Sequence, residues 1–183
     1  MRVNAGNPLS ADAKMPRTMP DPKPPTGPAQ LREDDLHQAI QLLFFAYRDF
    51  TARADAVLAR QGFGRAHHRV IYFVGRHPGT PVSELLEILG ITKQSLSRVL
   101  SQLIREGYIL QKRGVKDGRQ RLLHLTDKGH TLERDLTAEQ RTRITAAFRD
   151  AGPAAIDGFR RVMMGIMNEP ARKRFRPSTK VEK

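Results

Sequence analysis

Between Lys93 and Arg105, the side chains Gln94, Ser97, Arg98, Ser101 and Arg105 recur at steps of one, three and four residues. On a helix turning about 100° per residue they fall within an arc of roughly 100°, while Leu96, Val99, Leu100, Leu103 and Ile104 gather on the other side. No carboxylate interrupts the polar stripe, and Glu106 sits well off it. A solvated helix face ordinarily mixes both signs, often as spaced Glu and Lys pairs. Arg, Gln and Ser are instead the side chains suited to a DNA major groove. Arg grips guanine O6 and N7 with two bonds, Gln does the same for adenine N6 and N7, and Ser reaches phosphates or base edges. The plainer reading of this helix, taken alone, is an ordinary polar face.

A few residues later the stretch VKDGRQR, from Val115 to Arg121, separates two short apolar-rich runs, YILQKR and RLLHL, that read as the strands of a hairpin. Its turn is crowded with Lys116, Arg119 and Arg121, and Asp117 is its one acid. A hairpin directly after a groove-reading helix is a wing. Arg119 at its tip is then placed to reach the adjacent minor groove, where an arginine senses the negative potential of a narrow groove and reads shape more than sequence. Lys112, Arg113, Lys116 and Arg121 are expected to follow phosphates. Phosphate repels Asp117, so its carboxylate is expected to point back and hold Arg119, or an arginine of the helix, in place. The plainer alternative is a hairpin whose charges merely protect a sheet edge.

The elements that must carry these residues are mostly helical. Leu36, Ile40, Leu43, Phe44, Tyr47, Ala54, Val57 and Leu58 follow a helical period from Asp35 to about Arg60, with Gly62 as the stop. A shorter helix is expected from about Arg65 to Arg76, ending at HPG. Thr80 is read as the cap of the next helix, with Pro81 as its first residue and Gly90 as its left-handed stop. Thr92 then caps the helix that bears the stripe, which makes a helix-turn-helix. Thr126 caps a helix to about Arg149, the AGP at Ala151–Pro153 breaks it, and a last helix carries Ile156, Phe159, Met163, Ile166 and Met167. Candidate DNA contacts are therefore Thr92, Lys93, Gln94, Ser95, Ser97, Arg98 and Ser101 on the helix, with Lys112, Arg113, Lys116, Arg119 and Arg121 on the wing.

Composition points the same way. Across 183 residues, 32 Lys and Arg against 19 Asp and Glu give a net charge of +13, which makes nucleic acid the leading partner class. No cysteine is present, so disulfides, thiol redox sensing and thiolate metal sites are excluded. No apolar run approaches the roughly 18 residues of a membrane span, and no signal peptide is visible, so a cytoplasmic protein without a membrane partner is expected. Residues 1–30 read as a disordered proline-rich leader, 31–168 as the folded domain, and 169–183 as a basic tail.

With these elements in order, the residues from about His67 to Leu136 resemble the MarR family of bacterial winged-helix transcription regulators. The resemblance is carried by HPGTPVSELLEILGITKQSLSRVLSQLIREGYI, by DGR at Asp117 to Arg119, and by LTDKG at Leu125 to Gly129. It implies a mostly α fold with a small β-wing, in which a winged helix-turn-helix lobe (about 65–126) joins a helical dimerisation layer (about 35–60, 127–149 and 153–168). It also implies a homodimer on a pseudo-palindromic double-stranded site. For Asp117 and Arg119, which match the motif one for one, it implies an internal ion pair and a minor-groove arginine. Many relatives release DNA when a phenolic or other aromatic anion binds between the dimer layer and the lobe. Walls of such a pocket would come from around Phe44, Tyr47, Arg48 and His68, although core and interface roles are the simpler reading of these four.

No catalytic signature, cofactor motif or metal-ligand spacing emerges; the adjacent His67 and His68 point about 100° apart on a helix and cannot chelate one ion together. Two other binding roles compete with DNA. A winged helix used for protein contact, for example on RNA polymerase, would show an apolar hot spot in place of an acid-free stripe. Single-stranded RNA recognition would need exposed aromatics, and Tyr108 is the lone one near the stripe.

Overall fold

The computed structural model describes residues 32–114 and 117–175. The chain divides into two compact units, Met1–Ala39 and Ile40–Lys183. In the first, Glu33, Asp34 and Asp35 form the acidic first turn of helix α1 (Glu33–Ala59), and Arg32 pairs with Asp35 at 3.2 Å. Negative charge at that helix end favours the exposed backbone N–H groups.

The second unit holds the rest of α1 and all of the candidate site. It continues with α2 (Arg65–Arg76), β1 (Thr80–Pro81), α3 (Val82–Leu89), α4 (Lys93–Arg105), β2 (Ile109–Arg113), β3 (Arg121–Leu125), α5 (Asp127–Ile166) and α6 (Glu169–Lys173). The fold is mostly α with one small antiparallel sheet, in the order β1-β3-β2. Its core takes side chains from α1 to α5 and from one face of the hairpin: Leu58, Val70, Ile71, Val74, Leu85, Leu96, Leu103, Ile109, Leu123 and Leu136 are fully buried. Burying this many aliphatic side chains at about 1.5–3 kcal/mol each offsets the ordering of the short connections between them.

Several helix ends follow local rules. Gly90, at φ 60°, ends α3. Thr92 Oγ1 accepts from the Ser95 N–H at 3.2 Å and starts α4. Thr126 Oγ1 accepts from the Gly129 N–H at 3.1 Å and starts α5.

Thr80 departs from expectation. It does not cap α3, whose N-terminal residue position belongs to Pro81 with no side-chain cap bond. Thr80 and Pro81 instead pair with Leu123 and Leu122 as a third strand, and the Gly79 N–H donates to the Leu123 carbonyl at 2.8 Å. The backbone hydrogen bonds of β3 recruit the segment, and the Thr80 hydroxyl is left buried without a partner.

The break expected at Ala151–Pro153 takes the form of a kink inside α5: Gly152 adopts φ 77°, ψ 172°, a conformation that favours glycine, and Pro153 follows it. The segment from residue 169, read as tail, begins with the short helix α6, capped by Asn168 Oδ1 accepting from Ala171 N–H at 3.1 Å. The expected leader, residues 1–30, lies outside the described residues, as do Lys116 and residues 176–183.

Candidate nucleic-acid interface

Helix α4 presents its two faces as its periodicity requires. Leu96, Leu100 and Leu103 are buried, Val99 and Ile104 pack against the core, and Lys93, Gln94, Ser95, Ser97, Arg98 and Ser101 are exposed. Thr92 and Ser95 are exposed too, but their hydroxyls are joined at 2.9 Å, so both are partly committed to the cap. Of the stripe, Arg105 has a carboxylate neighbour, Glu106 at 3.7 Å.

In the hairpin, β2 and β3 pair from Ile109↔Leu125 through Arg113↔Arg121. Alternation puts Arg113 and Arg121 on the sheet face that buries Ile109, Leu123 and Leu125 nearer the core. Two like charges directly opposite each other on adjacent strands are mutually destabilising unless an anion lies nearby. Lys112, Arg113, Asp117, Arg119 and Arg121 are all exposed. Among the described residues, Lys93, Arg98, Lys112, Arg113, Arg119 and Arg121 take part in no ion pair, although arginines elsewhere in the chain pair repeatedly, as Arg65 does with Asp55 at 2.8 Å.

Asp117 does turn back toward Arg119, through the backbone. Its Oδ1 accepts from the Arg119 N–H at 2.9 Å, the contact of an Asx turn, and among the described residues it forms no ion pair with the guanidinium. The turn is closed by the Gln120 N–H donating to the Asp117 carbonyl at 3.0 Å and the Gly114 N–H donating to Gln120 at 3.1 Å. Among the described residues the Arg119 side chain takes part in no ion pair, and the Asp117–Gln120 backbone that carries it is held by these bonds.

Sequence reasoning passed over several residues that position this surface. Gln102, half-buried on α4, meets His67 Nε2 through its Oε1 at 3.0 Å. Lys128 donates to the Glu106 carbonyl at 2.9 Å and lies 4.1 Å from the centre of the Tyr108 ring. The Thr126 hydroxyl, besides capping α5, donates to the Gly107 carbonyl at 2.7 Å. Nothing in one-dimensional spacing marks these pairs, since each joins elements far apart in the chain.

A cleft of about 400 Å³ lies among α1, α2 and α5, lined by Tyr47, Asp55, Arg65, His68, Tyr72 and Gln140 among others. Of the four residues named for a pocket, Tyr47 and His68 line it. Phe44 is exposed and stacks edge-on with Phe45, and Arg48 pairs with Asp49 at 2.8 Å. Burial pushes the His68 imidazole below its ordinary value, against the opposing pull of Asp55 and Glu133. Among the described residues no cluster of His, Asp and Glu is placed to hold a metal ion, and no helix is long and apolar enough to cross a membrane.

Comparison with known proteins agrees with this architecture. Residues 61–120 match the family model described as MarR family. The HTH-type transcriptional regulator PetP of Rhodobacter capsulatus is 48% identical over 145 residues, covering 79% of this chain and 87% of that protein. Among solved structures, Streptococcus pneumoniae FabT in complex with DNA superposes with a TM-score of 0.63 at 19% identity, over 72% of this chain and 94% of that one. A MarR family regulator from Listeria monocytogenes complexed with a 26mer DNA gives 0.59 at 17% identity, over 69% and 85%. At these identities the two structures carry the fold alone, whereas the likeness to PetP spans most of both proteins. The chain belongs to the MarR family of winged helix-turn-helix transcription regulators.

Proposed function

We propose that the protein is a homodimeric, sequence-specific regulator that reads a pseudo-palindromic site in double-stranded DNA. In this reading α4 lies in the major groove, with Lys93, Gln94, Ser97, Arg98 and Ser101 toward the bases, Thr92 and Ser95 at the phosphates, and Arg119 of the wing in the neighbouring minor groove. Lys112, Arg113, Lys116 and Arg121 follow the backbone, and Asp117 holds the turn that presents Arg119. The observation that carries it is that, among the described residues, the exposed cations Lys93 and Arg98 of α4 and Lys112, Arg113, Arg119 and Arg121 of the hairpin take part in no ion pair. Such a surface gains most from phosphate and guanine, and the Arg113↔Arg121 repulsion is relieved by the same partner.

Arg98→Ala is expected to cost about 1–3 kcal/mol on a site selected from random duplexes and to relax base preference. Lys112→Ala is expected to weaken all duplexes alike and to flatten the salt dependence by about one unit. Fluorescence anisotropy against selected and unrelated duplexes separates the two. If Arg98→Ala and Arg119→Ala both bind the selected site like the parent protein, the assignment is wrong.

The dimer is supported by apolar surface that one copy leaves uncovered. Ile40, Phe44, Val162 and Ile166 are each more than 60% exposed, on two helices that carry no part of the reading surface. Large apolar side chains left exposed in this way mark an interface. Two copies related by a two-fold axis would set their α4 helices about 34 Å apart, one turn of the duplex. Sedimentation at micromolar concentration is expected to give the mass of two chains, and Phe44→Lys to shift it toward one; a single-chain mass for the parent protein would remove the symmetric reading. The α1–α2–α5 cleft, with Tyr47, Tyr72 and His68 beside Arg65 and Arg69, is the place where a small aromatic anion would bind and release the DNA.

A further inference from the structure

Helix α5 carries a second cationic stripe, away from the reading surface. Arg134, Ala138, Arg141, Thr145 and Arg149 recur at steps of four, three, four and four residues, which on a helix turning about 100° per residue confines them to an arc of roughly 80°. Glu139 and Asp150 lie more than about 100° from the centre of that arc. Glu139 is occupied elsewhere, with Arg143 at 3.1 Å and Arg53 at 4.0 Å. On the stripe itself, Arg141 and Arg149 are exposed and, among the described residues, take part in no ion pair or side-chain hydrogen bond. Arg134 donates to the Thr131 hydroxyl at 3.0 Å.

The stripe forms one wall of a cleft. Arg76, from the last turn of α2, joins Arg134, Arg141 and Arg149 around a space of about 830 Å³, a volume typical of small-molecule sites. Among the described residues these four arginines face one carboxylate, Glu133, which is buried and lies 3.8 Å from Arg76. Setting that pair aside leaves Arg134, Arg141 and Arg149 with no acid in the cleft to offset them, and a concave surface of one sign concentrates ions of the other. Guanidinium forks grip phosphate through paired, charge-assisted hydrogen bonds. The exposed Thr145 stands between Arg141 and Arg149 on the same stripe and adds a hydroxyl. Arg134 and Arg141 are two turns apart, about 10 Å of helix rise, an interval that linked phosphates span better than a single one. No lining residue belongs to α4, to the hairpin or to the apolar patch assigned to the dimer.

We propose that the cleft between α2 and α5 binds an oligophosphate, a small molecule carrying linked phosphate groups, at a site separate from the DNA-reading surface. The test is calorimetric titration of the full chain with inorganic tripolyphosphate, orthophosphate and a nucleoside triphosphate at about 0.15 M salt, where diffuse attraction between exposed charges is largely screened. Tripolyphosphate is expected to saturate at one per chain and to bind roughly tenfold more tightly than orthophosphate, or better. Arg141→Gln combined with Arg149→Gln removes two groups that, among the described residues, hold no other side chain. This variant is expected to melt like the parent and to bind tripolyphosphate roughly ten- to hundredfold more weakly. Arg98→Ala combined with Arg119→Ala, on the reading surface, is expected to keep the parent's tripolyphosphate affinity.

A nucleoside triphosphate that binds more tightly than tripolyphosphate supports the proposal and points to a nucleotide; equal affinity supports it and points to the phosphate chain alone. Parent-like tripolyphosphate binding by the Arg141–Arg149 variant overturns it. So does equal weakening in the Arg98–Arg119 variant, or binding that never saturates, since either means diffuse attraction to a basic chain. An unrelated duplex that the Arg141–Arg149 variant binds roughly tenfold more weakly than the parent also overturns it, because the stripe would then be a surface for DNA phosphates.

Discussion

Gly129→Ala is expected to destabilise the fold by about 3 kcal/mol, read as a lower urea midpoint at fixed protein concentration. A Cβ at position 129 would collide with the Tyr108 backbone carbonyl and lie 3.2 Å from Leu125 Cβ. The obstacle is main chain, so no rotamer change relieves it. That carbonyl also accepts from the Thr126 N–H at 3.1 Å, in the joint where α5 begins against the end of α4. Moving α5 outward to make room loosens the Thr126 cap and its bond to Gly107 as well. Gly118→Ala is the matched control. Its Cβ would meet nothing within 4 Å, and the change should stay within about 0.5 kcal/mol. Equal midpoints for the two variants would mean that the close approach at Gly129 does not govern stability.

Leu103→Ala is the second large effect, at about 3 kcal/mol within the usual 2–5 kcal/mol range for a buried leucine. Leu103 is 0% exposed, on the face of α4 directly behind the reading stripe, and the Tyr108 N–H donates to its carbonyl at 2.9 Å. Removing its side chain leaves a cavity beneath the recognition helix. Selected-site affinity should therefore fall along with stability, even at temperatures where the variant remains folded. Leu103→Met nearly conserves volume and should cost less than about 1.5 kcal/mol. A Leu103→Ala protein with the parent's urea midpoint would show that α4 is not anchored through this residue.

Much of the lobe was legible in one dimension. The α4 stripe, the Gly90 and Thr92 punctuation and the two strands around VKDGRQR are local patterns: period, caps and turn residues act within a few positions of themselves, and the structure returns them within a residue or two. Thr80 failed as a cap because a competing partner lay more than forty residues away. The signal for a cap, a threonine before a proline, is the same as that for a short strand ahead of a helix. Asp117 was expected to hold an arginine side chain. Its partner, the Arg119 N–H, belongs to the turn's own backbone, which side-chain charge arguments overlook.

What the sequence determined by itself was the inventory and its order: an acid-free cationic helix, a charged hairpin after it, flanking helices of regular apolar period, and a net charge of +13. Periodicity and charge are properties of neighbours in the chain, so they survive without coordinates. The tertiary structure alone decided which distant groups meet. It brought Gly129 against Tyr108, joined Thr80 to Leu123, and set His67 between Gly64 and Gln102. Such contacts depend on the crossing of packed elements, where shifts of an ångström make or break a hydrogen bond, and no spacing along a single strand of letters encodes them.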